Sequence, residues 1–258
     1  MSMVRLQIGT QQVDCDALLF DKDGTLLDFM QLWGSWAERM LTQIENHLQA
    51  SGHTFTGDRE HVFGTRYNQE GHLIDYDRCG PLAMASVEES TAILAWQLYA
   101  TGTPWDQAIA QIRRFSDIAI EHIEKEHPVQ PLPGLLPFLE QCRAVQLPLA
   151  VITADWTSEA VKHLRWSGLE SYFEHIIGSD QVQQSKPAPD LVYTACERLG
   201  ISPTQTVMIG DSNADMQMGQ NAGVPCCIGI SSSEQSAHTE LPDAHIIITH
   251  YDQLSIIK

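Results

Sequence analysis

The segment Leu18-Leu19-Phe20-Asp21-Lys22-Asp23-Gly24-Thr25 sets two carboxylates two residues apart, where a short apolar run gives way to a glycine turn. As the backbone leaves the pleat of a strand, side chains so spaced can both reach one concave site. An aspartate can attack phosphorus, and a neighbouring carboxyl can act as general acid and base when its surroundings set its pKa. Asp21 and Asp23 could divide that work. Three more segments carry complementary groups. Val151-Ile152-Thr153-Ala154-Asp155 ends an apolar run on a hydroxyl, which together with nearby backbone N–H groups, Ala154 among them, can bind a phosphoryl oxygen. Ser185-Lys186-Pro187-Ala188-Pro189-Asp190 puts a lysine just before a proline-started helix. Met208-Ile209-Gly210-Asp211-Ser212-Asn213-Ala214-Asp215 puts two carboxylates at a strand-to-helix turn, and hard oxygen donors of that kind suit Mg²⁺. Each segment also has a plain structural reading, with Thr153 or Asp155 capping a helix and Lys186 a surface lysine.

The elements that must position these groups follow from short apolar runs at 17–20, 147–152, 175–177, 206–209, 224–228 and 245–248. Runs without alternation read as strands buried on both faces. After Leu147 they alternate with helical patterns near 157–167, 187–199 and 213–222, the rhythm of a parallel α/β sheet. Residues 4–8 and 11–13, divided by Gly9-Thr10, read as a small leading hairpin. Between Leu27 and Pro128 the texture changes to helices alone: about Met30 to Gln49, Ser86 to Ala100 with a Ser86/Glu89 capping box, and Pro104 to Glu126. The proline-rich stretch from His127 to Gly134 reads as the return into the core. The organisation expected is therefore a catalytic core of residues 1–28 and 129–258, with a helical domain of residues 29–128 inserted after the first core strand.

Composition narrows the function. The chain has 258 residues, 33 acidic against 15 basic, and a formal charge of −18, which argues against a nucleic-acid or anionic-membrane surface. An anionic substrate would need local positive charge. Six cysteines form no CxxC pair, so neither a zinc site nor a disulfide framework is expected. The start, Met1-Ser2-Met3-Val4-Arg5, lacks a signal-like apolar core, and no apolar run reaches membrane-spanning length. A cytoplasmic setting is the expectation; oligomeric state is not legible.

The four segments, in this order, resemble the four motifs of the haloacid dehalogenase superfamily: DxDGT, a strand-terminal Thr, a Lys before a helix, and GDSxxD. The resemblance spans nearly the whole chain, with the helical insertion where members having a cap between motifs one and two carry it. It implies an α/β fold, a Rossmann-like parallel-sheet core with an inserted α-helical cap, and a site at the carboxyl ends of the strands. It implies that Asp21 is the nucleophile forming an aspartyl-phosphate and that Asp23 protonates the leaving oxygen and then activates water. Thr153 would orient the phosphoryl group and Lys186 would neutralise charge. Mg²⁺ would be held by the Asp21 carboxylate, the Asp23 backbone carbonyl and Asp211, with Asp215 as a ligand or an anchor for its waters.

Dehalogenases resembling the founding member lack an acid at the position of Asp23, and phosphonatases use a cap lysine, whereas Lys125 at the far end of the insertion is its only lysine. A phosphatase acting on a small phosphorylated metabolite, phosphoglycolate phosphatase-like in layout, is the reading favoured. A sugar phosphomutase of the beta-phosphoglucomutase type is the enzymatic alternative, and a non-catalytic phospho-ligand binding protein the other. In the insertion, Arg66 and Arg78 are candidates for the leaving group, with intracap ion pairs as the plainer reading. Trp33 and Trp36 either line the cleft or pack between helices. Lys22 departs from the apolar residue many relatives carry, its side chain expected at the cap or solvent. Asp155 departs from a neutral or basic neighbour and is read as an N-cap or as an acid facing the cleft.

Overall fold

A run of apolar residues can be buried on both sides only if helices cover both faces of the sheet, and that is how the first core strand is placed. The computed structural model describes residues 4–55, 57–232 and 234–257; Met1 to Met3, on which the reading against a leader partly rests, lie outside them. The strands are β1 (Val4–Ile8), β2 (Gln11–Cys15), β3 (Ala17–Phe20), β4 (Thr65–Tyr67), β5 (Leu73–Tyr76), β6 (Leu149–Ile152), β7 (His175–Ile177), β8 (Thr206–Gly210), β9 (Cys226–Ile230), β10 (Ile246–Ile248) and β11 (Leu254–Ile257). The chain forms two compact units, Met1–Asp28 with Val129–Lys258, and Phe29–Pro128.

The first unit holds a parallel six-stranded sheet in the order β10-β9-β8-β3-β6-β7. Leu18, Phe20, Leu149, Val151, Val207 and Ile209 face one layer with Leu135, Phe138 and Leu164 from the helices Leu135–Ala144 and Thr157–Trp166. Leu19, Ala150, Ile152 and Met208 face the other with Leu191, Ala195 and Met216 from Asp190–Leu199 and Asn213–Asn221. The fold is thus α/β, as expected. From β3 the chain builds outward through β6 and β7, then returns to β3's other side as β8, so the strand order reverses at β3. Phe20 pairs with Val151 and with Ile209. That register sets Asp21, Thr153 and Asp211 at the same edge of the sheet.

Two strands start later than their apolar runs suggest, β6 after Pro148 and β9 after Pro225. Proline has no N–H to give a ladder. The helix Leu135–Ala144 and strand β11 went unread in the sequence. The helix buries Leu135, Phe138, Leu139 and Cys142, a helical spacing that was available. β11 pairs antiparallel with β1, completing a three-stranded sheet with β2.

The second unit is mainly helical, with Met30–Gly34 running into Ser35–Ala50, then Arg59–Phe63, Pro81–Met84, Val87–Tyr99 and Trp105–Glu126. Met40, Leu41, Ile44, Leu94, Leu98 and Ile112 form its core. The capping box is present, with Ser86 N–H donating to Glu89 Oε2 at 2.8 Å and Glu89 N–H to Ser86 Oγ at 3.2 Å. The unit is not helices alone. β4 and β5 form an antiparallel hairpin, closed by Asn68 Oδ1 accepting from the N–H groups of Glu70 at 3.0 Å and His72 at 2.9 Å. β4 and β5 are buried at only one residue each, so they leave no unbroken apolar run to register as β in sequence.

The outgoing and returning segments pair within the first unit. Asp28 N–H donates to Gln130 O at 2.8 Å and Leu132 N–H to Leu26 O at 2.9 Å. Just upstream, the buried Tyr251 hydroxyl donates to Thr25 O at 2.9 Å and its ring stacks on Phe138. The C-terminal segment therefore braces the turn that carries the two aspartates. Tyr251→Phe keeps the ring and removes this bond; it is expected to lower unfolding free energy by about 1–2 kcal/mol, read as a lower urea midpoint at unchanged slope.

Candidate active site

The turn after β3 is held by its own backbone. Leu26 and Leu27 N–H both donate to Lys22 O, at 2.9 and 3.0 Å, and Gly24 N–H donates to Leu27 O at 2.8 Å. Gly24 has φ +76°, and a Cβ there would stand 2.0 Å from Asp211 Oδ2. Glycine is required twice over, for the left-handed backbone and for the approach of the Asp211 carboxylate. Asp21 N–H continues the ladder to Ile209 O at 2.9 Å, which fixes the first aspartate to the end of β8.

Lys186 joins the other segments to this turn. Its Nζ lies 2.5 Å from Asp21 Oδ1 and 2.6 Å from Asp215 Oδ1. Asp215 is fully buried, and its second oxygen accepts from the Ser212 hydroxyl at 2.6 Å and the Ser212 N–H at 3.1 Å. Ser212 Oγ in turn accepts from Asp215 N–H at 3.3 Å, completing a capping box on the helix Asn213–Asn221. Asp215 thus anchors Lys186 with one oxygen and the helix start with the other.

Oxygens of Asp21, Asp211 and Asp215 lie within 4.8 Å of one another. Like charges so close resist ionising together. Burial pushes the Asp21 carboxyl up to about 7 against the pull of Lys186, with Asp215 and Asp23 adding to the rise. Burial, then the charges of Asp21 and Asp215, push half-buried Asp211 well above its ordinary value. Burial opposes the Lys186 ammonium, yet Asp21 and Asp215 keep its pKa raised. Three carboxylates against one ammonium leave negative charge for a cation, and an all-oxygen donor set fits a hard divalent ion.

Thr153, at the end of β6, is buried, and its Oγ1 accepts from Asp155 N–H at 3.1 Å. Its hydroxyl proton is not used in that bond. Ala154 beside it is exposed. Asp155 Oδ1 accepts from Trp156 N–H at 2.8 Å, while Asp155 Oδ2 lies 3.2 Å from Lys22 Nζ. Asp155 is therefore more than a cap, since its second oxygen meets Lys22. The expectation of a solvent-exposed Lys22 is likewise corrected: its side chain is fully buried and held by residues of the first unit. Its partners are Asp23, Asp155 and His163, and His163 is a residue the sequence reading missed. A lone histidine on an amphipathic helix carries no signal of its own.

In the second unit, Arg66 and Arg78 sit on or beside the β4/β5 hairpin and both face Asp75, Arg66 at 3.7 Å and Arg78 in a hydrogen bond. Arg78 also donates to Tyr76 O at 2.6 Å and lies over the Tyr76 ring. Trp36 packs on Phe63 and Trp33 meets Trp36 edge-on, so these rings pack within the unit.

A family model for haloacid dehalogenase-like hydrolases matches residues 15–223. The chain belongs to that family. It is similar to the plasmid-encoded phosphoglycolate phosphatase of Cupriavidus necator, 29% identical over 221 residues that cover 86% of this chain and 83% of that one. It is similar to the pyrophosphatase PpaX of Halalkalibacterium halodurans, 30% identical over 107 residues, 42% of this chain and 50% of that one. The match to a further relative, from Dickeya dadantii, takes in 58% of its length, so the chain spans little more than half of these two curated relatives. Among solved structures, a predicted phosphoglycolate phosphatase from Haemophilus somnus superposes with TM-score 0.66 at 18% identity, covering 92% of this chain and 95% of that one. At that identity the likeness is one of fold. No helix among the described residues is long and apolar enough to cross a membrane.

The raised Asp211 pKa means that the folded chain holds a proton which the unfolded chain releases near pH 3.9. The penalty is absent below that pH and grows as pH rises toward the folded value. Asp211→Asn is therefore expected to raise the melting temperature of the metal-free protein at about pH 8 and to have little effect near pH 4. Calorimetry in chelator checks this; in Mg²⁺ the wild type should gain more in melting temperature than the variant.

Proposed function

We propose that the protein is a Mg²⁺-dependent phosphatase that hydrolyses a phosphate monoester of a small metabolite through an aspartyl-phosphate. The observation carrying this reading is the Lys186 bridge: one ammonium held at 2.5 Å from Asp21 and 2.6 Å from Asp215, beside a third carboxylate from Asp211. An isolated ion pair needs no third acid. A nucleophile that must meet a phosphate dianion needs both the cation and room for a second one. The similarity to phosphoglycolate phosphatase over most of both chains supports the reaction class.

Asp21 attacks phosphorus; the bond from phosphorus to the ester oxygen breaks, and Asp23 gives that oxygen its proton. Asp23 then takes a proton from water as it attacks the acyl-phosphate, freeing phosphate and Asp21. Lys186 neutralises charge shared by Asp21 and the phosphoryl group. The Thr153 hydroxyl, with its proton uncommitted to Asp155, and the Ala154 N–H orient phosphoryl oxygens. Mg²⁺, held by Asp21, Asp211, the Asp23 carbonyl and Asp215 or its waters, would supply positive charge to those oxygens. Residues 29–128 serve as a cap that selects the leaving alcohol. The buried free thiols Cys15, Cys142, Cys196, Cys226 and Cys227 suit a reducing, cytoplasmic setting.

Release of phosphate from p-nitrophenyl phosphate tests this directly. Wild-type turnover should need Mg²⁺ and stop with chelator, and Asp21→Asn should lower kcat by at least ~10³-fold while the protein stays folded. Phosphate-free conversion of a sugar phosphate to its isomer would favour the mutase instead. Silence across a broad ester panel would favour a binding protein.

A further inference from the structure

Lys22 stands between the two aspartates of the first motif, and its side chain is 0% exposed. An ammonium taken fully out of water is tolerated only with partners for its charge and its three N–H donors. Lys22 Nζ lies 2.8 Å from both Oδ1 and Oδ2 of Asp23, 3.2 Å from Asp155 Oδ2 and 3.0 Å from His163 Nδ1. These acceptors come from the turn after β3, the turn after β6 and the helix Thr157–Trp166. Burial, helped by the Lys22 charge, holds the His163 pKa down to about 3, so a neutral ring offers Nδ1 as an acceptor. The site therefore contains two lysine-centred groups. Lys186 serves Asp21, and Lys22 serves Asp23.

We infer that Lys22, fixed by Asp155 and His163, is a positioning residue for Asp23: it holds that carboxyl in one orientation and balances the charge left on it as its proton passes to the leaving oxygen. The inference rests on the phosphate-ester reading. In that step the bond from Asp21 Oδ to phosphorus forms and the phosphorus–ester oxygen bond breaks with its electron pair on the leaving oxygen. Asp23 supplies the proton to that oxygen. An ammonium 2.8 Å from the carboxyl interacts more strongly after the proton has gone than before. Its effect therefore falls on the transition state more than on the bound ester. Burial removes the competition of water.

A lysine kept for packing alone would slow all esters alike or none. The contrast to measure is kcat/KM in Mg²⁺, which covers the steps through loss of the alcohol, for Lys22→Met. The esters are p-nitrophenyl phosphate, whose leaving group needs little protonation, and the alkyl phosphate that the wild type uses best in a panel. The alkyl value is expected to fall ~10²-fold and the aryl value no more than ~5-fold. Equal losses on both esters, or no alkyl loss, would overturn the inference. Because Lys22→Met leaves Asp155 buried without its cation, the double variant Lys22→Met/Asp155→Asn, with its fold checked by thermal melting, repeats the contrast with both charges removed. There, too, an unequal loss supports the inference and an equal one overturns it. A wild type inactive on every ester, indistinguishable from Asp21→Asn, is a separate outcome that removes the hydrolase reading itself.

Discussion

Three carboxylates meeting at the end of a buried sheet would drive one another to the protonated form, and the placement of Lys186 is the condition on which the rest of the site stands. Its ammonium, 9% exposed, touches Asp21 and Asp215 at once. Asp215 can hold it only because the Ser212 capping box fixes the other carboxylate oxygen. The helix start, the lysine and the first aspartate are thus one electrostatic unit built from three distant stretches of chain. Without the lysine, burial and the neighbouring acids would push the Asp21 carboxyl higher still, toward a neutral acid that is a poor nucleophile.

The sheet makes that unit possible. β3 is flanked by β6 and β8 in parallel, and the shared register at Phe20 lines up the residues that follow each strand. Since the strand order reverses at β3, helices depart to opposite faces on either side of it, and the turns beyond the strand ends spread apart. Gly24 then lets the turn from β3 lie against Asp211 at a distance no side chain would permit. Lys22 within that turn and Lys186 from a distant segment each pair with one of its aspartates. A strongly acidic protein thereby places two ammonium groups among the carboxylates of its site.

Much of this was legible in sequence because it depends on local pattern. The unbroken apolar runs marked both-sided strands, their alternation with helical stretches marked a parallel sheet, and Ser86 with Glu89 marked a helix start. The β4/β5 hairpin was not legible: its strands are short and half exposed, and a side-chain bond from Asn68 closes it. β11 was missed because its partner, β1, lies at the other end of the chain. Arg66 and Arg78 were singled out for their charge, and the structure pairs both with Asp75.

By itself the sequence determined the residue types at the strand ends: Asp21, Asp23, Thr153, Lys186, Asp211 and Asp215 follow their strands or precede their helices at spacings that local structure alone sets. Only the tertiary structure decided which of them touch. Lys22 reads as an exposed departure from an apolar position until the fold closes Asp155 and His163 around it. Asp215 reads as a metal ligand or an anchor for metal waters, and only the fold shows that Lys186 and Ser212 also meet its oxygens. The physical reason is the same in both cases. A charge's role depends on which opposite charges share its low-dielectric surroundings: Asp155 lies 133 positions from Lys22, and Lys186 lies 165 from Asp21 and 29 from Asp215, separations that no local pattern spans.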